Sequence, residues 1–429
     1  MKATLIAAPS SGAGKTTVTL ALLRALAQDG HAPRSVKLGP DYIDPAFHSA
    51  ATGCHTLNLD PWAMDADMQA AMLAGNGPLV VESAMGLFDG AGLSGAGSAA
   101  DVAERFGLPI TLVVDCAKAA QTIPALVEGI TRHRPGLRFH GLVLNRVGSA
   151  RHEAILREAL KRSDTPPVLA VLRREDGLTL PSRHLGLVQA AEHPDLPQKL
   201  DAMAEWLRRA VDPRTLLATS DAPAGASPQI PPPGKRIAIA KDEAFSFIYP
   251  HFLTSWVNAG AQIAEFSPLA DEAVPEADFV FLPGGYPELH AGRLARARTF
   301  IKSLRNASQN ITIYGECGGY MTLGETLIDG DGAAHAMAGL LPVTTSFATP
   351  KLTLGHRALR AEGGPWPGAN NLVWRGHEFH FSTAVEERGT PLFTARDADG
   401  AALPAMGLRS GNVSGSYAHL IAPHRPETP

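Results

Sequence analysis

The stretch that decides the fold of the first half of the chain is APSSGAGKTT, residues 8–17. It stands between a short apolar run and an apolar helical pattern that begins at Val18, which is the context that a phosphate-binding loop requires. In such a loop Gly12 and Gly14 let backbone N–H groups close around phosphate oxygens, and the Lys15 ammonium neutralises their charge. The stretch therefore predicts an ATP-binding loop between a buried strand and a helix.

The two residues after the lysine complete the predicted nucleotide site. We expect the Thr16 hydroxyl to ligate the Mg²⁺ of MgATP and Thr17 to lie beside the phosphates. Pro9 stands where the common pattern has its first glycine, as in the variant loops of dethiobiotin synthetases and partitioning ATPases. An ordinary glycine-rich turn is the alternative, and the strand, loop and helix in register argue against it.

Outward from this loop, apolar runs alternate with helical patterns. Such alternation indicates a parallel, doubly wound α/β sheet, because strands covered on both faces are continuously apolar. The runs of the first half are residues 4–8, 79–81, 110–115, 142–145 and 168–172. They restart at residues 236–240, 262–264, 279–282 and 311–314, which predicts a second α/β domain.

Composition places a boundary between the two halves. Residues 212–235 are rich in Pro, Ala and Ser, so we interpret them as a linker that cannot form a core. The chain would then consist of an ATP-binding domain over residues 1–211 and a second domain over residues 236–429.

Acidic residues follow the predicted strands. Asp41 and Asp44 lie in KLGPDYIDPAF, residues 37–47, where either could hold Mg²⁺, or both could be turn formers. Glu82 ends a buried strand at the edge where open α/β sheets bind ligands. Asn145 also ends a strand and could contact adenine, with a loop cap as the alternative.

The second half carries a cysteine in a sharp turn. In NITIYGECGGYM, residues 310–321, Cys317 follows a strand and precedes two glycines, which is typical of a nucleophile elbow. We expect the N-terminus of the following helix to lower the pKa of the thiol. Gly284 and Gly285 in FLPGGYPE could form an oxyanion hole, and His419 is a candidate base.

Two further histidines, His377 and His380, have a spacing that points them to opposite faces of a strand. We therefore favour a structural or substrate-contact role over metal binding. The net charge of −4 offers no general field for nucleic acid or an anionic membrane, and no apolar run approaches a membrane span. Three scattered cysteines are too few for a disulfide framework, which favours a reducing cytoplasm.

Taken together, SSGAGKTT, KLGPDYIDPAFH, ESAMGLFDG, FLPGGYPE, YGECGGYM and GSYAHL resemble the cobyrinic and hydrogenobyrinic acid a,c-diamide synthases of cobalamin biosynthesis. The resemblance covers nearly the whole chain. It implies an N-terminal domain like dethiobiotin synthetase and a C-terminal, flavodoxin-like class I glutamine amidotransferase domain. The amidotransferase would be of the subgroup that lacks the usual third catalytic carboxylate, since Ile421 stands two residues after His419.

The resemblance also implies roles for particular residues. Cys317 would be the nucleophile, and His419 would raise its reactivity. Five residues would face Mg²⁺, the γ-phosphate or the corrin carboxylates: Asp41, Tyr42, Asp44, Glu82 and Asp89.

The implied reaction uses ATP and L-glutamine to amidate the a and c carboxylates of a corrinoid through acyl phosphates. Close alternatives are cobyric acid synthase and nickel-sirohydrochlorin a,c-diamide synthase, and GPDYIDPAFH favours the a,c-diamide enzyme. A partitioning-type ATPase switch is the alternative from another class. Such switches usually carry a second lysine where this chain has Ser10, and they have no cysteine elbow. Whether the chain forms a homodimer is left open.

Overall fold

The computed structural model describes the whole chain except residues 184–185, 188, 222, 224, 226–229, 362–365, 369–371 and 425–429. The chain divides into two compact units, residues 1–227 and residues 228–429. Both units are built from β-sheets and helices, so the prediction of two α/β domains is confirmed. Within the described residues, no helix combines the length and the apolar character that crossing a membrane needs.

The first unit is built on strands β1 to β10. They are β1 Lys2–Ala7, β2 Arg34–Leu38, β3 Leu57–Leu59, β4 Leu79–Glu82, β5 Ile110–Asp115, β6 Phe139–Val147, β7 Val168–Arg173, β8 Ser182–Arg183, β9 Gly186–Leu187 and β10 Ala218–Thr219. The first seven form a parallel sheet in the order β3-β2-β4-β1-β5-β6-β7, whose core strands are apolar on both faces.

Helices cover this sheet. They are α1 Lys15–Gln28, α2 Asp44–Thr52, α3 Ala66–Leu73, α4 Ala99–Phe106, α5 Ile123–His133, α6 Ala150–Lys161 and α7 Leu196–Arg208. Short 3₁₀ turns occupy Asp176–Leu178, Ala190–Glu192 and Pro213–Leu216. Helix α1 buries Val18, Leu22 and Leu26, which repeat at helical spacing. Because the strands are parallel, the phosphate loop and the residues that end β2, β4 and β6 share one edge of the sheet.

The start of the predicted linker is part of this unit, which corrects the boundary at residue 211. Strand β10 pairs antiparallel with β1, opposite Lys2 and Ala3. Leu216 is fully buried, and its carbonyl accepts a hydrogen bond from the Thr111 hydroxyl at 3.3 Å. The composition of the segment concealed this, because only two adjacent buried leucines, Leu216 and Leu217, attach a stretch that is otherwise polar and proline-rich. Residues 222, 224 and 226–229 of the predicted linker lie outside the described residues.

The second unit begins with a parallel sheet and continues as an antiparallel one. Its strands are β11 Arg236–Ala240, β12 Gln262–Phe266, β13 Phe279–Leu282, β14 Thr312–Glu316, β15 Thr326–Ile328, β16 Ala334–Ala336, β17 Val343–Ser346, β18 Thr353–Ala361, β19 Val373–His380, β20 Thr383–Glu387, β21 Thr390–Arg396, β22 Ala402–Ser410, β23 Val413–Ser416 and β24 His419–His424. The larger sheet has the order β12-β11-β13-β14-β23-β22-β21-β18-β19-β24 and is parallel from β12 to β23.

The helices of this unit are α8 Pro250–Asn258, α9 Ala291–Arg296, α10 Arg298–Ala307 and α11 Gly318–Leu323, with 3₁₀ turns at Pro268–Ala270 and Pro287–His290. A smaller sheet has the order β16-β15-β17-β20. The antiparallel strands β18, β19, β21 and β22 were only partly predicted from the sequence: the segment of β19 around His377 and His380 was interpreted as a strand, but β18, β21 and β22 were not. They matter for the site, because β19 pairs His377 with His419 at the start of β24.

Candidate active sites

The phosphate loop has the backbone that its glycines make possible. Gly12 and Gly14 have φ angles of 80° and 92°, a region that L side chains rarely adopt. Lys15 begins α1 and is only 5% exposed, with Nζ 3.5 Å from the carbonyl oxygen of Ser10. Burial lowers the pKa of this lysine, although Glu82 acts in the opposite direction. Thr17 is half-buried in the first turn of α1. The loop is therefore shaped to surround an anion.

Asn145 supports this loop from β6. Its Nδ2 atom donates a hydrogen bond to the carbonyl oxygen of Ala13 at 2.9 Å, and its Oδ1 atom accepts one from the Arg146 backbone. A Cβ atom on Gly14 would lie 2.2 Å from the same Nδ2 atom. The structure thus favours the loop-cap alternative for Asn145, whose side chain fixes the phosphate loop, and the contact with adenine stays a prediction.

A cluster of charged side chains lies behind the loop. The Thr16 hydroxyl donates to Oε1 of Glu82 at 2.8 Å and lies 3.3 Å from Oδ2 of Asp44. The Lys37 ammonium donates to Asp44 at 2.5 Å and to Glu82 at 3.0 Å, and it lies 3.7 Å from Asp41. One ammonium therefore holds three carboxylates together at the ends of β2 and β4.

Burial and pairing set the charges in this cluster. Burial alone would raise the pKa of Glu82, but Lys37 and the hydrogen bond from His48 outweigh it and hold that pKa far below its usual range. Burial would also lower the pKa of Lys37, and Asp44 and Glu82 reverse the effect and raise it. Burial and the neighbouring Asp44 raise the pKa of Asp41 to about 6. Glu82 and Lys37 are thus a stable buried ion pair.

Lys37 and His48 were not singled out in the sequence. Nε2 of His48 lies 2.7 Å from Oε2 of Glu82, and both side chains are fully buried. A signal was available, since His48 is four residues after Asp44 on α2 and so shares its helix face. Lys37 gave no comparable signal, because a lysine near the end of an apolar strand usually extends to solvent.

The oxygen donors fit Mg²⁺ bound together with a nucleotide. Mg²⁺ usually takes one or two carboxylates, with water and substrate phosphates completing its shell. Thr16, Asp44 and Glu82 supply such donors close to the loop. Asp41 is less well placed, because its Oδ1 accepts from the backbone N–H groups of Ile43 and Asp44 and so forms the turn. Across the described ranges, no group of three or more His, Cys, Asp and Glu side chains is arranged to hold a metal ion by itself. Mg²⁺ at this site would therefore depend on the nucleotide phosphates and water for its other ligands.

The loop after β4 lies against the phosphate loop. The Leu87 N–H donates to the carbonyl oxygen of Ala8 at 2.9 Å. Asp89 accepts a hydrogen bond from the Gly86 N–H at 2.9 Å and so holds its own loop, although its charge also reaches Lys15. Tyr42 is half-buried in the turn between Asp41 and Asp44. Both residues therefore lie near the charged cluster, and that they face Mg²⁺, the γ-phosphate or the corrin carboxylates stays a prediction.

In the second unit, Cys317 occupies a strained turn between β14 and α11. Its φ and ψ angles are 46° and −102°, and its N–H donates to the carbonyl oxygen of Ser416 at 2.8 Å. A non-glycine residue with a positive φ costs about 1–3 kcal/mol and persists only where the surroundings impose it. The turn has the geometry of a nucleophile elbow, as the sequence predicted.

Three glycines leave room around the cysteine. A Cβ atom on Gly284 would lie 2.4 Å from Cε1 of His419 and 3.3 Å from Cβ of Cys317. A Cβ on Gly285 would lie 2.2 Å from the Ala244 carbonyl oxygen, and one on Gly318 would lie 3.1 Å from the Gly285 nitrogen. The missing side chain of Gly284 therefore leaves space beside both Cys317 and His419, and the backbone nitrogens of Gly285 and Gly318 lie near the cysteine.

His419 is held on several sides. Its ring stacks on that of His377 with centroids 5.1 Å apart and an angle of 12° between the planes. The Tyr249 hydroxyl lies 2.9 Å from Nε2 of His377 and fixes this second ring. His380 belongs to a separate stack, 4.0 Å from the ring of Tyr417. The two histidines on β19 therefore line the site in different places.

The electrostatics of the cysteine differ from the sequence prediction. Burial raises the pKa of the Cys317 thiol, Glu288 adds to the rise, and the Gly318 N–H opposes it without reversing it. The expected lowering by a helix N-terminus is wrong here, because α11 spans only six residues and the site is closed to water. Burial, followed by the charge of His380, lowers the pKa of His419 to about 3. The resting pair is therefore a neutral thiol beside a neutral imidazole.

These two sites define an enzyme with a nucleotide-binding domain joined to a glutamine amidotransferase domain. Residues 4–188 match the family described as the CobQ/CobB/MinD/ParA nucleotide binding domain, and residues 236–427 match the CobB/CobQ-like glutamine amidotransferase domain.

Similar whole chains narrow the class further. Hydrogenobyrinate a,c-diamide synthases from Brucella anthropi and Brucella abortus are 49% and 50% identical to this chain, covering 98% of both chains in each case. The enzyme of that name from Rhodobacter capsulatus is 48% identical over 98% of this chain and 99% of its own. The chain belongs to the hydrogenobyrinate a,c-diamide synthase family, which confirms the resemblance seen in its motifs.

Proposed function

We propose that this protein amidates the a and c carboxylates of hydrogenobyrinic acid, using ATP to activate each acid and glutamine as the nitrogen source. The observation that carries the proposal is the presence of two complete sites in one chain of this family. One is a phosphate loop backed by the Lys37–Glu82 cluster, and the other is a buried cysteine beside His419. The similar enzymes bear the name of this reaction.

In the first unit, the substrate carboxylate attacks the γ-phosphate of ATP. Lys15 and the loop N–H groups hold the phosphates, and Thr16, Asp44 and Glu82 would hold Mg²⁺, which neutralises charge on the transferred group. The products of this step are ADP and an acyl phosphate. Ammonia then attacks the acyl carbon, so that the C–O bond breaks and inorganic phosphate leaves. Tyr42, Asp41 and Asp89 line the approach on which we expect the corrinoid acid to bind.

In the second unit, Sγ of Cys317 attacks the side-chain amide of glutamine. His419 takes the thiol proton and passes it to the departing nitrogen, which leaves as ammonia. Water then hydrolyses the glutamyl thioester to glutamate. We assign the oxyanion hole to the N–H groups of Gly285 and Gly318, and Gly284 to the close approach of thiol and imidazole. This assignment modifies the prediction that Gly284 and Gly285 form the hole together.

Replacement of the cysteine tests the division of labour. Cys317→Ala should lose glutaminase activity and glutamine-dependent amidation but keep amidation supported by ammonium salt. Lys15→Ala should lose amidation with either nitrogen source while its glutaminase activity survives. If Cys317→Ala also loses the ammonium-dependent reaction while its ATP site stays intact, the two units do not act as described.

The substrate is tested by offering metal-free hydrogenobyrinic acid and cobalt-containing cobyrinic acid separately. Mass spectrometry detects each amidation as a decrease of about one dalton, because OH is replaced by NH₂. We expect two such steps on the metal-free acid. Amidation of other corrin side chains would identify a cobyric acid synthase, and nucleotide hydrolysis without any amide would favour the ATPase switch.

The free thiols of the chain bear on the compartment in which the protein works. Cys54, Cys116 and Cys317 are all free, which suits a reducing cytoplasm. We propose a cytoplasmic enzyme on this basis, and a measurement of molar mass in solution will decide between a monomer and a homodimer.

A further inference from the structure

A buried carboxylate lies beside the imidazole of His419. Glu316 is the last residue of β14 and immediately precedes Cys317, and it is 4% exposed. Its Oε2 atom lies 3.7 Å from Nδ1 of His419. Its Oε1 atom accepts a hydrogen bond at 3.0 Å from the backbone N–H of Leu420, the residue after the histidine. The carboxylate is therefore fixed to the strand that carries the imidazole.

No carboxylate follows the histidine in sequence at the position where many glutamine amidotransferases have one. Ile421 occupies that position and is buried. Its carbonyl oxygen lies 2.8 Å from Nε2 of His251, so this backbone group already has a hydrogen-bond partner. Glu316 approaches the same ring from β14, which belongs to a different part of the sheet than β24.

We propose that Glu316 is the positioning residue of the glutaminase site and takes the place of the missing carboxylate. The proposal builds on the assignment of Cys317 and His419 above. In the active form Glu316 is ionised and the Nδ1–H of His419 points to it, so that Nε2 is the atom that accepts the thiol proton. When that proton arrives, the imidazolium and the carboxylate form a buried ion pair, and the distance of 3.7 Å shortens to that of a charged hydrogen bond.

The electrostatics of the two groups fit this coupling. Burial raises the pKa of Glu316 to about 8, against the Leu420 N–H, which lowers it. Burial also lowers the pKa of His419 to about 3. Burial is the first cause of both shifts, so the pair acts once Glu316 has lost its own proton as the pH rises through about 8. The charges of the carboxylate and of the imidazolium then offset each other's burial.

Other titratable groups surround the pair, and all of them remain when Glu316 alone is changed. They are Tyr314 on β14, Cys317, Tyr417, Glu288 in the 3₁₀ turn, and His377, Glu378 and His380 on β19. A comparison of the protein with a Glu316 variant therefore isolates the contribution of this carboxylate to the pH dependence of glutamine hydrolysis.

The decisive variant is Glu316→Gln in the full chain. The glutamine carbonyl can still accept from Leu420, but its NH₂ group favours the tautomer in which Nδ1 of His419 is unprotonated, so Nε2 cannot take the proton. We expect kcat for glutamine hydrolysis to fall by about 10²–10⁴-fold with little change in KM. Ammonium-dependent amidation should remain at the level of the unchanged protein, which shows that the variant is folded.

Three further measurements separate positioning from packing. Glutamine hydrolysis by the unchanged protein should rise with pH through about 8, and Glu316→Gln should lack this rise. Glu316→Asp should recover part of kcat. The control Glu387→Gln neutralises an exposed carboxylate that accepts from the Tyr320 hydroxyl in the same unit, and it should leave glutamine hydrolysis unchanged.

The proposal is overturned if Glu316→Gln keeps its kcat, or if its kcat falls while the rise with pH is retained. A Glu316→Asp variant no more active than Glu316→Gln would also overturn it. These outcomes differ from failure of the proposed function, which would appear as glutaminase activity surviving in Cys317→Ala.

Discussion

The Nζ atom of Lys37 lies 3.0 Å from Oε1 of Glu82, and both side chains are buried at the phosphate-loop edge of the first sheet. Removing this ammonium would take away the cation that pairs directly with Glu82 and Asp44. We predict that Lys37→Met lowers the free energy of unfolding of the first unit by about 3–5 kcal/mol, as is usual when one partner of a buried ion pair is lost. Denaturant unfolding followed by a probe in that unit measures the change.

The same pair predicts a pH window. Because the pKa of Glu82 is lowered in the folded protein, its charge stabilises the fold above about pH 4.5, the ordinary pKa of a glutamate. Because the pKa of Lys37 is raised, its charge stabilises the fold in full below about pH 10.5, the ordinary pKa of a lysine. The difference between the protein and Lys37→Met should therefore be greatest between these values and shrink outside them. Lys161→Met is the matched control, because Lys161 is exposed and forms a long surface ion pair with Glu158, with 3.9 Å between the charged atoms. Equal losses in both variants would contradict the buried pair.

A second prediction concerns Asn145 and the phosphate loop. Asn145→Ala removes the donor to the Ala13 carbonyl, so the loop should lose part of its preorganised shape. We expect KM for ATP to rise by about tenfold, the effect of losing roughly 1.4 kcal/mol of hydrogen bonding. The ratio of activities with ATP and GTP should stay constant. A variant that selectively loses its preference for ATP would instead support the adenine contact suggested by the sequence.

A third prediction concerns Gly284. In Gly284→Ala the new Cβ atom would lie 2.4 Å from Cε1 of His419, so the imidazole must move away from the thiol. We expect glutamine hydrolysis to fall at least about 100-fold, since a small misplacement of reacting groups has that effect. Ammonium-dependent amidation should continue. Gly330→Ala serves as the control, because no atom lies within 4 Å of its added Cβ. Normal hydrolysis by Gly284→Ala would mean that the thiol and the imidazole do not react across this glycine.

Much of the fold could be predicted because its strands are buried on both faces. The runs that became β1, β4, β5, β6 and β7 are continuously apolar, and a glycine loop marks where the first ends. The strand Leu57–Leu59 was missed because three residues give no detectable pattern. The antiparallel strands β18, β20, β21 and β22 were missed because they mix exposed and buried positions irregularly, as in Thr353–Ala361.

The candidate sites were predictable where chemistry depends on neighbours in sequence. Cys317 and Lys15 could be recognised because each stands among glycines after a strand. The relation of Glu316 to His419 could not, because the two residues are far apart in sequence and only the sheet brings them together. The stacking of His377 on His419 was hidden for the same reason, since it depends on the register of β19 with β24.

The central claim is that ATP activates the substrate acid as an acyl phosphate before nitrogen is added. It is tested most directly with hydrogenobyrinic acid whose a and c carboxylates carry ¹⁸O, incubated with MgATP and glutamine. Because the carboxylate oxygen that attacks the γ-phosphate leaves with it, each amide formed should place one ¹⁸O atom in inorganic phosphate. Amide formation that yields only unlabelled phosphate would contradict the claim.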